Sequence, residues 1–442
     1  MGMDAQLEKA FHPVTRFTTT RLFNYAMAVL GPVGVAGVQF LLSFQLLHAI
    51  TPEAFGAFAF LILTSTLGFS VSSALLCAPL PVLSGTRDRE RIVRTLTAAN
   101  MALSLTCALV FLAIGFLLGM PAPAACFFAA YTGAMMLRWF ARTYAYVIGA
   151  RWRTIASDAI YTTVMLCFLF GMAVAGSTSL EVACVGLFVA AALGLLPFGR
   201  DFLLRQFLNI SWRALRRYGE VWRVHSKWSL TGVLTTEATA NAHAYFVTFI
   251  AGSASFAPIA ASALLIRPVG LATNALTDIE RPQMARQLSK HDLSGAHESS
   301  RHFGFTLIAV WAASAVAATL LLLTAPRLLF PSAYDINSIT LGVVLWFAIA
   351  GMRLWRAPQS ALLQAAGEFR SVAHASYLSC GASIVVAGGL AFVSPTWSLV
   401  GILLGEAIFA VGIHLRARTW RAKVSATPVA AALAPDSELV AP

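Results

Sequence analysis

The sequence predicts an all-α membrane protein of about twelve transmembrane helices, arranged in two parallel six-helix halves. Three observations predict this class: a composition that is 58% apolar and 11% charged over 442 residues, apolar residues gathered in long runs, and basic residues confined to alternate loops. Soluble domains carry about 25% charged residues, so this chain lacks the side chains to cover a water-facing surface. A soluble globular protein is therefore excluded.

Twelve apolar runs are long enough to cross a membrane, because about 20 helical residues at 1.5 Å each span a hydrocarbon core of about 30 Å. The first run is too long for a signal peptide and follows a mixed polar stretch without a cleavage site, so we expect it to be retained. In chain order the predicted spans are 22–47, 54–83, 92–119, 124–148, 155–175, 180–198, 228–251, 255–277, 303–325, 339–365, 371–392 and 396–415.

The positions of Lys and Arg predict that both chain ends lie in the cytoplasm, since basic residues that flank membrane helices stay on that side. The odd-numbered loops contain no Lys or Arg apart from Arg327. The even-numbered loops are basic, and so is the N-terminus, with Lys9, Arg16 and Arg21. The net charge of +12 is thus explained by membrane topology, and no nucleic-acid partner is expected.

The longest loop, 199–227, divides the chain into an N-terminal half, 1–198, and a C-terminal half, 228–415. This connector is rich in arginine and tryptophan, which predicts an amphipathic helix on the anionic cytoplasmic leaflet. The last stretch, 416–442, is expected to be cytoplasmic and largely disordered because its end is rich in Ala and Pro.

Weak internal similarity supports two halves. The segment 54–59, AFGAFA, resembles the segment 255–260, SFAPIA. Each half begins and ends on the same side, so the repeats are parallel, a plan common among transporters that bind substrate between the halves near the midplane.

Ionisable side chains inside membrane spans are costly, and they usually face a bundle interior or a water-filled cavity. Arg138 and Arg142 share one face of the fourth span, while Arg353 and Arg356 start a polar stripe in the tenth that continues to Gln364. Arg267 precedes Pro268, where a broken helix leaves carbonyls free. These six side chains are the candidate substrate-binding residues: Arg138, Arg142, Arg267, Arg353, Arg356 and Gln364.

The acids at this depth are Glu237, with Asn241 one turn later, and Glu406; Asp158 and Asp278 lie close to the cytoplasmic ends and carry less weight. Two glutamates cannot neutralise five arginines, and an unpaired guanidinium in a cavity suits an anion such as phosphate. The alternative is structural, with the acids neutralising two arginines and the others bonding to carbonyls. For Arg142 both interpretations stay open.

Glu237, Asn241 and Glu406 are candidates for coupling to an ion or proton, because a carboxyl in low dielectric holds its proton more tightly. A purely structural pairing of these acids is the open alternative. The six cysteines fall inside spans without metal-ligand spacing, and His48, His243 and His414 are scattered on different helices. They are interpreted as packing residues, and no metal or cofactor is expected.

Three segments carry a resemblance to a known family. Residues 50–59, ITPEAFGAFA, resemble the "gp-e-fG-ya" loop of polysaccharide and lipid-linked oligosaccharide exporters. Residues 345–367, with Arg353 and the run LLQA before Gly367, are similar to that family's "r-…-sallqa-g" segment. Residues 328–334, LLFPSAY, are similar to the preceding "lf-g-ey".

This family belongs to the multidrug/oligosaccharidyl-lipid/polysaccharide exporter superfamily. The resemblance implies a flippase of the O-antigen or exopolysaccharide type, which moves an undecaprenyl-pyrophosphate-linked glycan across the bacterial inner membrane. It also implies polysaccharide polymerase and other assembly proteins as partners. The chain departs from the pattern at Ala257-Pro258, where Gly followed by a small or aromatic residue is usual, and in its short length.

Two alternatives compete with the flippase. A multidrug extruder of the same superfamily would favour a cavity of acids and aromatics for cations. A membrane-embedded polysaccharide-assembly enzyme needs catalytic groups clustered in a sizeable loop. The loops outside the membrane are short, and no paired carboxylates, phosphate loop or activated nucleophile is present, so no enzymatic activity is expected. A non-transporting scaffold is a third alternative.

Overall fold

The structure, a computed structural model, describes residues 31–84, 89–208 and 211–426. This part of the chain is helical without a strand, which confirms the all-α class. Its helices are α1 Gly31–Ala49, α2 Pro52–Ser72, α3 Pro79–Ser84, α4 Arg89–Leu117, α5 Ala122–Val147, α6 Arg151–Ala175, α7 Leu180–Leu193, α8 Arg200–Leu208, α9 Trp212–Val221, α10 Lys227–Ala251, α11 Ser253–Ala263, α12 Arg267–Ser289, α13 Leu293–Thr324, α14 Pro326–Leu329, α15 Ile336–Ala365, α16 Phe369–Ala391 and α17 Ser398–Ala426.

Every predicted span coincides with one of these helices or with two consecutive ones. Within the described residues, ten helical segments are long and apolar enough to cross a membrane. The two other predicted spans correspond to α5 and α10, which have 26 and 25 residues. Both helices contain polar side chains in their interior: Arg138 and Arg142 in α5, and Glu237 and Asn241 in α10. A multi-pass membrane protein follows, while the number twelve and the orientation stay predictions.

Several predictions fall partly outside the described residues. The basic N-terminus and the start of the first span lie in 1–30, and most of the predicted disordered tail lies in 427–442. The described start of that tail is helical, because α17 continues to Ala426. Trp420 and Val424 are 6% and 4% exposed there, so their burial against the neighbouring helices extends α17 beyond the predicted boundary at 415.

The loops gather at two ends of the bundle. At one end, His48 approaches the Leu328 carbonyl at 3.2 Å and Gln45 donates to Thr178. We call this the outer end, since it holds the loops poor in Lys and Arg. We call the opposite end the inner end; there Arg281 donates to Gln364 at 3.0 Å. Which end faces the cytoplasm stays a prediction.

The described helices form two groups, which we call the N-terminal group (31–208) and the C-terminal group (211–426). They meet along α2, which packs against α10 and α11. At the outer end this contact requires a glycine, because a Cβ on Gly56 would lie 1.9 Å from the Ser253 carbonyl oxygen. The two segments with internal similarity, 54–59 and 255–260, thus lie in the pair of helices that closes the outer end. The six-plus-six division stays a prediction.

Two spans are broken where proline removes a backbone donor. Pro79 has no N–H for the Leu75 carbonyl, and residues Ser73–Cys77 form a π-helical turn between α2 and α3. The Ala78 N–H donates to the Ser73 carbonyl at 2.8 Å, which closes this wider turn. Pro268 likewise lacks a donor for Leu264, and a 3₁₀ turn, Leu264–Ile266, separates α11 from α12. The predicted break beside Arg267 is confirmed.

The connector differs from a single helix lying on the membrane surface. It contains α8, a separate α9, and a π-helical turn Trp222–Ser226 that leads directly into α10. Phe202 of α8 is buried and its ring contacts Tyr144 of α5. Gln206 of α8 donates to the Thr97 carbonyl of α4 at 3.1 Å. The connector is therefore anchored on the N-terminal group.

Candidate functional site

Two of the cavities among the described helices share one residue, Asn274 of α12. The wide cavity, of about 470 Å³, lies between the N-terminal group and α12. The narrow cavity, of about 240 Å³, lies between α12 and α15. The wide cavity is lined by Pro32, Val35, Ala36, Gln39, Trp139, Arg142, Asn274 and Thr277. The narrow cavity is lined by Ile266, Val269, Gly270, Thr273, Asn274, Trp346, Ile349, Ala350, Arg353 and Leu354.

Arg138 and Arg142 share a single carboxylate, which we call the Asp158 cluster. Asp158 Oδ1 accepts from Arg138 at 2.5 Å and from Arg142 at 2.9 Å. The Arg138 Nε donates to Ser157 at 2.8 Å, and its guanidinium lies 4.8 Å from the centre of the Tyr161 ring. The Arg138 side chain is 0% exposed, whereas Arg142 is 15% exposed and lines the wide cavity. Only Arg142 of this pair reaches a cavity.

Arg353 and Arg356 share Glu406 in the same way, and we call this the Glu406 cluster. Arg353 Nε donates to Glu406 Oε1 at 2.7 Å, and Arg356 Nη2 donates to Oε2 at 3.2 Å. The Arg356 guanidinium also lies 4.2 Å from the centre of the Phe409 ring. Arg353 is 35% exposed and lines the narrow cavity. Arg353 Nη2 and Arg356 Nε are buried nitrogens without a hydrogen-bond partner.

Glu237 and Asn241 lie on α10 where it faces α2. Glu237 accepts from Ser70 of α2 and from Asn241, each at 2.8 Å. Among the described residues no Lys, Arg or His lies within ion-pair distance of Glu237. This carboxylate is therefore bonded by neutral donors and bridges the two helix groups.

The other two candidate residues lie apart from these clusters. Arg267 stands at the break between α11 and α12, where its Nη2 is 3.5 Å from Ser43 Oγ of α1. No described carboxylate lies within 4.0 Å of it. Gln364 lies at the inner end, where it accepts from Arg281 and donates to Ser360.

The prediction that only two glutamates could pair with the five arginines was wrong in one respect. Asp158 was given less weight because it lies near a helix end, but it forms ion pairs with both arginines of α5. Four of the five arginines are thus in ion pairs, and Arg138 is too buried to line either cavity. The roles in substrate binding and ion coupling stay predictions.

Sequence reasoning also missed neutral cavity residues. Asn274 contributes to both cavities, Gln39 of α1 lines the wide one, and Trp139 and Trp346 form walls. A signal for Asn274 existed, since Thr273, Asn274 and Thr277 place polar groups inside a predicted span at helical spacing.

No family model matches the chain, and no curated protein matches it in sequence. Solved structures match its fold. An inward-facing multidrug resistance MATE family transporter of the MOP superfamily is 14% identical, with a TM-score of 0.65 over 89% of this chain and 95% of that one. The lipid II flippase MurJ, in an inward closed conformation, is 9% identical, with a TM-score of 0.68 over 89% and 87%.

An outward-facing multidrug resistance MATE family transporter of the MOP superfamily matches less well. It is 14% identical, with a TM-score of 0.55 over 91% of this chain and 96% of that one. The described helices therefore have the same fold as these solved structures.

Proposed function

We propose that this chain is a membrane transporter rather than an enzyme, and that it moves an anionic lipid-linked glycan by alternating access. The fold supports transport, because the neighbours of this architecture are transporters and a lipid flippase. Within the described residues, two cavities meet at Asn274 beneath a closed outer end. Alternating access requires a binding space between the helix groups that is reached from one side of the membrane at a time.

The observation that carries the substrate class is the charge of the cavity walls. Arg142 lines the wide cavity and Arg353 the narrow one, and no carboxylate is among the described residues that line either. The free Nη2 of Arg353 adds a donor close to the narrow cavity. Guanidinium groups bind phosphate through paired hydrogen bonds, so these walls favour an anionic group such as a pyrophosphate.

The more specific proposal is an undecaprenyl-pyrophosphate-linked oligosaccharide or polysaccharide intermediate, carried across the bacterial inner membrane. The resemblance in segments 50–59 and 345–367 supports this branch, and so does the likeness to a lipid II flippase. Polysaccharide polymerase and other assembly proteins are the partners this function would have. Arg138 would then act indirectly, by holding Asp158 and hence Arg142 in place.

Ion coupling is proposed at Glu237 and Asn241. Glu237 has neutral hydrogen-bond partners from both helix groups, so gain of a proton or cation would change the contact between α2 and α10. Glu406 is a weaker candidate, because two arginines already neutralise it.

A binding and complementation experiment tests the substrate class. Binding of undecaprenyl pyrophosphate, with neutral undecaprenol as the control ligand, would be measured by native mass spectrometry for the wild type and Arg353→Gln. We expect binding of the pyrophosphate to fall about 10- to 100-fold in Arg353→Gln, because one charge-assisted hydrogen bond contributes about 1.5–3 kcal/mol. Arg301→Gln, an exposed arginine of α13, is the control variant. Each variant would also be tested for surface polysaccharide in a flippase-null strain.

A multidrug extruder is the second candidate, favoured by one observation. Glu237 is a carboxylate without a described cationic partner, and Trp139 and Trp346 supply aromatic walls that could stack on a cationic drug. Efflux of a cationic dye that requires Glu237, together with unchanged binding of undecaprenyl pyrophosphate in Arg353→Gln, would establish this alternative and overturn the flippase.

A further inference from the structure

The break in α2 leaves the Leu75 carbonyl without its usual helical partner. Because Pro79 has no N–H, the Leu75 oxygen four residues earlier cannot complete the usual hydrogen bond. A buried carbonyl left unbonded costs about as much as a lost hydrogen bond, so the structure must supply donors from elsewhere.

Both donors come from outside α2. The Tyr218 hydroxyl of α9 donates to the Leu75 carbonyl at 2.9 Å, and the Ser226 hydroxyl, just before α10, donates to the same oxygen at 2.9 Å. A carbonyl oxygen has two lone pairs, so it accepts both. Burial raises the pKa of the Tyr218 phenol above its ordinary value, which keeps the proton that this bond needs.

The same break contacts the wall of the wide cavity. The Trp139 indole N–H donates to Ser73 Oγ at 2.7 Å, and the Trp139 ring stacks on Phe69 at 5.4 Å between ring centres. One turn before the break, Ser70 donates to Glu237 of α10. The break therefore contacts the connector through Leu75 and the wall of the wide cavity through Ser73. It also lies one turn from the hydrogen bond by which Glu237 links the two helix groups.

These bonds lie on one side of the molecule. The contact of α2 with α10 and α11 runs from Gly56 at the outer end, past Ser70, to Leu75 at the inner end. The wide cavity opens elsewhere, between α1, α5 and α12. Because the outer part of α2, at Gly56, belongs to the closed outer end that alternating access must open, the part that can stay fixed is the inner part of this contact, from Ser70 to Leu75.

We propose that Tyr218 and Ser226 are hinge residues that fix α10 to the break in α2, the line about which the two helix groups turn. This role rests on the proposed transport function, because a hinge needs two groups that move. The freed carbonyl gives the hinge a bendable point. Ser226 attaches that point to the start of α10, and Tyr218 attaches it to α9, which packs against α4 of the N-terminal group.

The test measures distances between spin labels by pulsed electron resonance, in full-length protein from which the native cysteines have been removed. One pair, Arg91→Cys on α4 and Thr231→Cys on α10, spans the hinge, since it joins the N-terminal group to the helix that Ser226 precedes. The other pair, Arg151→Cys on α6 and Ser289→Cys on α12, reports on the inner end around the wide cavity. Spectra would be recorded at several pH values and with undecaprenyl pyrophosphate.

In the wild-type background we expect the cavity pair to change distance between conditions and the hinge pair to keep one narrow distribution. In Tyr218→Phe/Ser226→Ala the hinge pair should gain a second distance. The displaced population should rise about fivefold per lost hydrogen bond, hence about 25-fold for both. Either single variant leaves one donor on Leu75 and should change the hinge pair much less.

The matched control is Tyr144→Phe/Ser211→Ala, which removes one phenol and one serine hydroxyl at the same end. Ser211 begins α9 without a side-chain capping bond, so the hinge pair should stay narrow. The hinge is overturned if Tyr218→Phe/Ser226→Ala keeps a narrow hinge distribution, or if the wild-type hinge pair moves as much as the cavity pair. A cavity pair that stays fixed in every condition would instead contradict alternating access.

Discussion

The Asp158 cluster and the Glu406 cluster have the same composition but opposite surroundings. Each contains two arginines from one helix and one carboxylate from another, so each carries a formal charge of +1. In the Asp158 cluster the side chains of Arg138 and Asp158 are 0% and 2% exposed. In the Glu406 cluster Arg353 and Arg356 are 35% and 19% exposed.

The clusters also differ in how completely their donors are used. Arg138 is held by Ser157, Asp158 and the Tyr161 ring, with Met135 sulfur at 3.6 Å from Nη1. In the Glu406 cluster two buried guanidinium nitrogens lack partners. A buried donor without a partner leaves a side chain free to turn toward a ligand, whereas fully bonded donors hold a side chain in the fold. The comparison therefore separates Arg138, a structural arginine, from Arg353, a candidate binding arginine, although the two arginine pairs look alike in the sequence. Arg142 of the Asp158 cluster still reaches the wide cavity.

The largest expected effect is at Asp158. Asp158→Asn leaves Arg138 charged, buried and without its carboxylate, which should cost about 3–5 kcal/mol of folding stability. Thermal unfolding of the purified protein measures this loss. In an Arg138→Met background the same change should cost much less, because the buried charge is gone. An Asp158→Asn protein as stable as the wild type would remove the distinction between the clusters.

Glu406→Gln should cost less than Asp158→Asn, about 1.5–3 kcal/mol, the value of a hydrogen bond to a charged group. The reason is that Arg353 is partly exposed and can turn toward the cavity instead of remaining buried without a partner. The variant should also bind undecaprenyl pyrophosphate more tightly than the wild type, because the cavity wall becomes more positive. Equal destabilisation of the two variants would show that exposure does not separate the clusters.

The fold was largely predictable because the membrane imposes simple rules. Long apolar runs predicted the helices that the described residues form, and Pro268 marked the break between α11 and α12. The bonding of the Leu75 carbonyl by Tyr218 and Ser226 was not predictable, because those residues lie 143 and 151 positions away along the chain.

The candidate site was predictable only in part. The arginine pairs are visible as polar residues inside spans, and the pairing of Glu406 with arginines was one of the open alternatives. Asp158 was underestimated because the predicted span began at 155, whereas α6 begins at Arg151 and places Asp158 two turns inside the helix. Which acid meets which arginine depends on the packing of α5 against α6 and of α15 against α17, and one sequence contains no record of those contacts.

Ser157→Ala should make the Asp158 cluster resemble the Glu406 cluster. It removes the acceptor of Arg138 Nε and the hydroxyl that donates to the Gly194 carbonyl at 2.6 Å. The expected cost is about 1–3 kcal/mol, because a buried donor of a charged group is left unbonded. Ser383→Ala, which removes a buried hydroxyl that donates only to the Thr239 carbonyl, is the control and should cost less. Equal losses would mean that the charge of Arg138 does not matter at this position.

The smallest perturbation is chemical modification of the folded wild-type protein, which compares how accessible the arginines of the two clusters are. A reagent specific for guanidinium groups, such as phenylglyoxal, should modify Arg353 readily and leave Arg138 intact, since their side chains are 35% and 0% exposed. Peptide mass spectrometry after brief treatment of the folded protein measures both sites in one sample. Undecaprenyl pyrophosphate should protect Arg353 if it occupies the narrow cavity, while exposed Arg301 serves as the unprotected control. Modification of Arg138 at a rate similar to that of Arg353 would show that water reaches the Asp158 cluster, and the division between a structural arginine and a candidate binding arginine would then be wrong.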